Sequence, residues 1–492
     1  MGRLASTYRE ALKDYFRQLD WPLLIFLTLF LNVKLYIKIA AILVVLLLRG
    51  RPVLPKGSIP LWWWFYISMV LLALINLLLS FSTLSLSAVY AFGLGCIYWL
   101  LAMAAAWLIF SFVQQGDKEK IHRTVSLFFL LNTGVMLLCF IRICIEAGVL
   151  NPYNYEGYHR KYFISTGDKI TGIGMDSSVT AALISAFAVL YFLYRGRRGF
   201  SLLCFATTLL ATSNTVNYLL MIVLLLSFLF YTDRLQKSMI LVFLFMVVIF
   251  AAKVSPSNQE YSRNLLGRLV GKNAYVEPVP IPDATWKQFV ESKPVVVKET
   301  KLQHFMNQTY SRDKADSIKR QYKGWDLSGR RIAWEELGHF FQGHPARLLL
   351  GTGMGNFSSQ LALRTTALGI EGSYPEKHAY IHPFFRDNYL FLYLYYHTRD
   401  EGQHSVINKP DSVYGQLLAE YGLAGLACFF IFYLVFFGSF LRKKIGRNVA
   451  RSYGLPLLLI MTGAFFMEYW FEQLSVVVLF ELLMLLDKDH AS

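Results

Sequence analysis

The feature that most constrains this chain is a succession of apolar runs, at 22–48, 60–81, 87–113, 125–147, 178–194, 200–213, 215–231, 238–253, 416–440, 453–470 and 474–486. Several reach about 18 residues or more, the length at which a helix can cross a hydrocarbon layer with its backbone polar groups satisfied internally. Hydrophobic residues make up 55% of the chain and charged residues only 16%, well away from the balance of a soluble globular domain. The sequence therefore predicts an all-α polytopic membrane protein.

The joints between runs set the expected topology. Basic clusters stand at Arg49/Arg51/Lys56, Lys118/Lys120/Arg123, Arg195/Arg197/Arg198, Arg234/Lys237 and Arg442/Lys443/Lys444/Arg447/Arg451, whereas Ser82–Ser85, Ser213–Thr215 and the region of Glu472 carry no such excess. That alternation is the positive-inside pattern. It also accounts for the formal charge of +16 without a nucleic-acid partner. The run 22–48 contains Lys34 and Lys38 and is long for one span. Two short helices with an outer turn near Asn32–Lys34 give about twelve spans, while a single tilted helix would give eleven. The favoured division is a cytoplasmic amphipathic N-terminus (1–20), a first bundle (21–253) with an outer loop at 148–177, a large periplasmic loop (254–413), C-terminal membrane helices (414–487) and a cytoplasmic tail (488–492). No cleavable signal peptide is read in the N-terminal stretch. The five cysteines all lie in apolar runs, so no disulfide framework is implied.

Three phrases in and after the large loop carry the candidate chemistry: Ser328–Trp334, Gly351–Phe357 and Asp411–Leu426. The first predicts a helix capped by Asp326 or Ser328, ending near Gln342 ahead of Gly343-His-Pro345. Arg330 and Trp334, four apart, share one face of it, with Arg331 alongside. An arginine fork suits a diphosphate better than a lysine point charge, although two arginines in an outer loop also suit solvent or lipid headgroups. Gly351, Gly353 and Gly355 permit a tight turn or the approach of backbone N–H groups to an anion. No Gly-Lys-Ser/Thr follows, so this is not a nucleotide-binding loop. In the third phrase Tyr414, Leu417, Leu418 and Tyr421 form an apolar face at the mouth of a membrane helix, with Gln416 and Glu420 near its outer boundary.

Taken together, the matches Gly329-Arg330…Trp334, Gly351-x-Gly353-x-Gly355-x-Phe357, Tyr414 and Leu418-Ala419-Glu420-x-Gly422-x-x-Gly425 resemble the O-antigen ligase and O-antigen polymerase superfamily. The resemblance implies a transferase needing neither metal nor cofactor. It would move a glycan from an undecaprenyl-diphosphate carrier to a hydroxyl acceptor (a second lipid-linked glycan, lipid A-core or a protein hydroxyl) at the outer face of the bacterial inner membrane, with both termini cytoplasmic. In that family a loop histidine activates the acceptor and arginines hold the diphosphate. Two positions depart from the pattern: Asp411-Ser412 stands where the family has His-Asn, and Ser213-Asn214 where it often has Ser-Arg.

The resulting assignment makes Arg330 and Asp411 catalytic. Arg331, Arg142, Arg160, Trp334, Gly353, Gly355, Ser412 and Glu420 are placed on substrate, and His404, His382 and His378 are alternative bases. An aspartate is ionised and weakly basic at neutral pH unless burial raises its pKa. Arg142 and Glu146 are spaced for an ion pair on one helical face. His159, Arg160, Lys161 and Lys169 form a basic patch, and Glu468 and Glu472 approach the outer face. The run Phe384–Tyr396 reads as an amphipathic helix lying on the membrane, with Arg386 and Asp387 outward. Two rival readings are a relative that has lost catalysis and binds envelope glycans, and a lipid-linked sugar transporter. The second fits less well, because no internal repeat is seen.

Overall fold

A computed structural model describes residues 14–32, 34–49, 60–80, 85–154, 166–175, 177–230, 232–255, 329–368, 374–392, 409–442 and 452–489. Arg160, His404, Asp326 and Ser328, most of the basic patch and the stretch 256–328 lie outside the described residues. Among the described residues the regular elements are all helical. They are α1 (Trp21–Phe30), α2 (Leu35–Arg49), α3 (Trp63–Leu79), α4 (Leu86–Gln115), α5 (Lys118–Ala147), α6 (Ser178–Tyr194), α7 (Arg198–Leu210), α8 (Asn214–Phe230), α9 (Arg234–Ile249), α10 (Gly329–Gly343), α11 (Gln360–Thr365), α12 (Val413–Cys428), α13 (Gly454–Ala464) and α14 (Ser475–Asp489), with shorter turns between.

Among the described residues four helical stretches are long and apolar enough to cross a membrane: Leu86–Gln115, Lys118–Ala147, Arg234–Val254 and Val413–Phe440. Six more apolar helices are shorter. Polar residues mark where the helices start and stop. Asp233 and Gln236 close a reciprocal capping box on α9, Ser85 caps α4, and Gly148, at φ 68°, ends α5 in the left-handed region. Every residue of α6 is buried, as expected of a helix apolar on all faces. Leu43, Leu47, Ile222, Leu229, Phe245 and Val248, on α2, α8 and α9, are exposed, which suits a surface solvated by lipid rather than water.

The run 22–48 is divided into two helices at Leu31–Lys34. Lys38 makes that break tolerable. Its ammonium is buried but donates to the Phe30 carbonyl at 2.8 Å, satisfying the end of α1, and lies 5.1 Å over the Phe30 ring. The two helices return on one another, because Asp20 at the start of α1 meets Arg49 at the end of α2 (3.9 Å). Asp20 also meets Thr124 near the start of α5 (2.9 Å).

Polar contacts sort the helix ends into two groups. At one end gather the basic joints, with Arg195 against Glu119 (3.9 Å) and Arg197 against Ser126 (3.4 Å). At the other, Asn76 near the end of α3 donates to the Leu350 carbonyl (2.6 Å), Tyr90 near the start of α4 stacks on His378 (4.2 Å), and Val413 N at the start of α12 donates to Phe465 O just past α13 (2.8 Å). The three sequence phrases therefore lie at the end opposite the basic joints.

Candidate active site

The glycine phrase and the start of α12 form one unit. Helix α12 is interrupted at Gly422, where φ is 66° and ψ −166°, so the carbonyls of Ala419 and Glu420 lose their helical partners. Thr352 N and Gly353 N replace those partners, donating to Ala419 O and Glu420 O at 3.0 Å each. The two backbones cross so closely that a Cβ on Gly422 would strike the Leu349 carbonyl, and one on Gly351 (φ 78°) would strike Glu420. Glycine is required at both positions for conformation and for space. The Glu420 carboxylate, completely buried, then accepts from Gly355 N (3.0 Å) and Phe357 N (3.4 Å). The turn does cradle a carboxyl group, and that group is the chain's own glutamate.

Beside this scaffold lies a charged cluster drawn from four parts of the chain. Arg330 opens α10, and its guanidinium is largely buried. Burial pulls its pKa down, while Asp411, Glu468, Tyr389 and Tyr469 hold it up, and a guanidinium remains charged in such surroundings. Asp411, 5% exposed, immediately precedes Ser412, the N-cap of α12. Burial raises the Asp411 pKa, and the cations of Lys409 and Arg330 and a hydrogen bond from Tyr469 oppose the rise. Lys409 reaches Glu468 at 3.9 Å and also faces Asp168 of the connection between α5 and α6. The Tyr469 and Tyr389 hydroxyls are 2.6 Å apart.

Next to the cluster is a narrow crevice, with enclosed room for little more than one water molecule and open on one side to solvent, lined by residues that include Trp334, Phe357, Ser358, Tyr389, Pro410 and Ser412. It brings one face of α10, the end of the glycine turn and the mouth of α12 together. Its walls are mainly aromatic and apolar, with serine hydroxyls and a tyrosine edge, a lining able to exclude water while positioning a few polar atoms.

Residues 199–430 match the O-antigen ligase family model. That segment, a little under half of the chain, is similar to the O-antigen ligase family. No curated protein and no solved structure matches the chain. The matched segment contains Arg330, Trp334, the glycine turn, Asp411 and Glu420, and the match supports a membrane glycan function of the ligase or polymerase type in general. Glu468 and Tyr469 lie beyond the matched segment, on the α13–α14 connection.

The structure brings Arg330, Asp411, Trp334 and Ser412 together. It treats the other expected substrate residues differently. Gly353 and Gly355 bind the α12 break and Glu420 rather than presenting their N–H groups outward. Glu420, expected near substrate, is enclosed by the turn amides. Arg331 points out and pairs with Glu335 at 3.0 Å, its side chain 54% exposed. Arg142 pairs with Glu146 at 2.7 Å, as its spacing predicts, but its side chain is 80% exposed. Among the described residues it is not one of the groups that set the charge state of Arg330 or Asp411.

Of the alternative bases, His404 lies outside the described residues, and His378 and His382 are not among the groups acting on Asp411. His378 stacks on Tyr90. His382 accepts from Phe384 N at 3.1 Å, and burial, aided by the Arg347 cation, pushes its pKa down to about 4. The segment predicted as a surface helix begins as helix at Pro383–Phe385 and Arg386–Leu390, with Arg386 and Asp387 outward as expected but Tyr389 and Leu390 buried in the site. Sequence reading missed Lys409 and Tyr469. Lys409, two positions before Asp411, offered a local signal as a cation beside a motif residue, whereas Tyr469 offered none.

Proposed function

We propose that this protein is a membrane-embedded glycosyltransferase that moves a glycan from an undecaprenyl-diphosphate carrier to a hydroxyl acceptor at the periplasmic face of the inner membrane. The observation that carries the reading is the convergence of Arg330 and Asp411 beside a cleft, at the helix ends opposite the basic joints. In this reading the chain spans the membrane about twelve times, with both termini and the basic joints cytoplasmic and the segment 254–413 outside.

Arg330 holds the diphosphate and takes up the charge that develops as the glycosidic bond to phosphate breaks. Asp411 has two roles. As an anion it fixes the guanidinium in place, and as a buried carboxylate of raised pKa it accepts the acceptor proton. Lys409 adds a second cation in a chain that lacks the family's Ser-Arg arginine, since Asn214 occupies that position. Ser358 and Ser412 orient sugar hydroxyls, and Trp334 provides a flat apolar wall. A lipid-linked acceptor makes the protein a polymerase; lipid A-core or a protein hydroxyl makes it a ligase.

Transfer by purified protein in nanodiscs, supplied with a polyprenyl-diphosphate-linked glycan and candidate acceptors, tests the proposal. The wild type should turn over and Arg330→Ala should not. Full activity of the variant would remove Arg330 from the site. A wild type that binds the donor without ever transferring it would favour the binding-only reading that the Asp411 departure invites.

A further inference from the structure

A guanidinium outside the Arg330 cluster stands in the same half of the bundle as the glycine turn, with no acid beside it. Helix α11 begins at the Ser359 cap and packs against α4 where Gly95 leaves room, since a Cβ there would meet the Met354 sulfur and the Leu361 side chain. That packing delivers Arg364, in the last turn of α11, to Tyr98 of α4. Its Nη1 donates to the Tyr98 hydroxyl at 3.0 Å, and that hydroxyl lies 3.2 Å from the hydroxyl of Tyr374. Tyr374 is tied back to the same turn, because its backbone N donates to the Arg364 carbonyl at 2.9 Å.

A guanidinium carries five N–H donors, and this one uses a single donor on a neutral phenol. Its Nε is enclosed without a partner, whereas Nη2 is not enclosed, and the residue as a whole is half-buried. Among the described residues no carboxylate comes within ion-pair distance of it. Glu472 acts on it from further off, and its own oxygens accept from Leu361 N at 2.9 Å and Gln416 Nε2 at 2.7 Å. Other cations are matched: Arg49 meets Asp20 and Lys409 meets Glu468, at 3.9 Å each. Arg330 is faced by Asp411, Glu468, Tyr389 and Tyr469, none of which acts on Arg364.

The surroundings set the kind of anion that would complete this arrangement. Tyr98 lies roughly two turns beyond Tyr90, about 12 Å further along α4, and Tyr90 is the residue on which His378 stacks. Ile97 and Leu100 are exposed, and Leu94 and Leu101, one turn before and after Tyr98, are partly buried. Tyr98 therefore stands at the edge of the surface that α4 turns to lipid, below its first turns. An arginine in such a place is a candidate for function. Its fork matches phosphate oxygens. The two phenols share one hydrogen bond, so one of their two protons remains to be donated alongside it. A single guanidinium edge and one phenol suit one phosphate group bearing one charge.

We propose that Arg364, with Tyr98 and Tyr374, forms a binding site for the phosphate of a bilayer phospholipid, separate from the Arg330 cluster. The lipid supplies the counter-charge that the chain does not, and its acyl chains run along the Ile97 and Leu100 side of α4. A lipid seated there tethers α11, and with it the glycine turn that precedes it, to the membrane beside α4.

The test uses the full-length protein in a phosphate-free detergent, with lipid binding read by native mass spectrometry. The probes are phosphatidylglycerol, diacylglycerol with the same acyl chains, and inorganic phosphate. Arg364→Gln keeps a donor for Tyr98 and removes the charge, while Arg331→Ala removes an exposed arginine of α10 and controls for a general loss of positive charge. The expected result is phosphatidylglycerol affinity weakened roughly tenfold or more by Arg364→Gln and kept within about twofold by Arg331→Ala. Diacylglycerol should bind weakly and equally to all three proteins, and inorganic phosphate should not displace the lipid. Equal phosphatidylglycerol affinity in wild type and Arg364→Gln overturns the site, as does a matching loss for diacylglycerol, which would make the effect one of packing. Inorganic phosphate competing as tightly as the lipid in an Arg364-dependent way would make the occupant a soluble anion and overturn the lipid assignment. If Arg364→Gln does not fold, the wild type decides: phosphatidylglycerol with a photoactivatable headgroup should label peptides containing Tyr98 or Tyr374, and labelling confined to other parts of the chain overturns the proposal. Failure here leaves the transferase reading standing, because that reading rests on Arg330 and Asp411.

Discussion

Two buried carboxylates stand on either side of the start of α12, and they are buried in different ways. Glu420 is enclosed by backbone amides of the Gly351–Phe357 turn, donors that cannot move or be exchanged. Asp411 is enclosed by Lys409, Arg330 and Tyr469, side chains that carry charge or protons of their own. The first environment satisfies a carboxylate and fixes a shape, here the join between the glycine turn and the broken helix. The second leaves a carboxylate whose protonation is coupled to its neighbours, as a reacting group requires. Position in a sequence motif does not separate the two; the chemistry of the donors does.

The sharpest way to break this comparison is to neutralise each carboxylate in turn. Asp411→Asn should lower transfer by roughly 100- to 10,000-fold, the usual range for losing a general base, while the melting temperature in detergent stays close to wild type. Glu420→Ala should do the opposite. It strands buried amides at about 1–3 kcal/mol each, so the yield of folded protein and its melting temperature fall, and any surviving molecules keep donor affinity. Activity loss without destabilisation at Glu420 would show that the division is wrong.

Next in size, Gly422→Ala should cost about 1–3 kcal/mol from the left-handed backbone alone, with the steric conflict against Leu349 added, read as a fall in melting temperature. Gly438→Ala sharpens the contrast, because there an added Cβ would meet nothing within 4 Å and no positive φ is involved, so its melting temperature should stay at or above that of wild type.

Smaller still is a pH effect at His382. Its pKa in the fold is pushed down to about 4, chiefly by burial and further by Arg347, below the unfolded value near 6.5. A depressed histidine pKa means the stabilisation is complete above the unfolded value and is lost as pH falls from about 6.5 toward 4. His382→Asn keeps an acceptor for Phe384 N but cannot titrate, so its melting temperature should fall less than that of wild type across that window, with transfer within a few-fold of wild type. A large loss of transfer would restore His382 as a base. The smallest effects should come from Arg331→Ala and Arg142→Ala, each breaking one exposed i,i+4 ion pair worth at most about 1 kcal/mol, with melting temperature as the readout.

Much of this was legible along the chain because the signals were local. The division of the first apolar run followed from Lys34 and Lys38, and the pairing of Arg142 with Glu146 followed from helical spacing. Arg330 and Trp334 stand on one helix whose stop at Gly343 was marked by the proline beyond it. What stayed hidden depends on distant segments meeting. Glycine spacing shows that backbone can come close but not to what, so the turn read as a place where backbone N–H groups meet substrate when what they meet is the Glu420 carboxyl, far along the chain. Tyr469 sits in a connection after α13 with no motif around it, and Tyr389 lay unmarked within an aromatic run. Exposure was equally illegible: Arg330 and Arg331 are adjacent and chemically identical, and only packing against Asp411 and Glu468 separates the buried one from the solvated one.

That adjacent pair provides the most direct measurement. Binding of a polyprenyl diphosphate to nanodisc-embedded wild type, Arg330→Ala and Arg331→Ala should show affinity lost in the Arg330 variant and retained within about twofold in the Arg331 variant. Equal weakening by both substitutions, or retention by both, would contradict the claim that the Arg330–Asp411 cluster is where the carrier diphosphate is held.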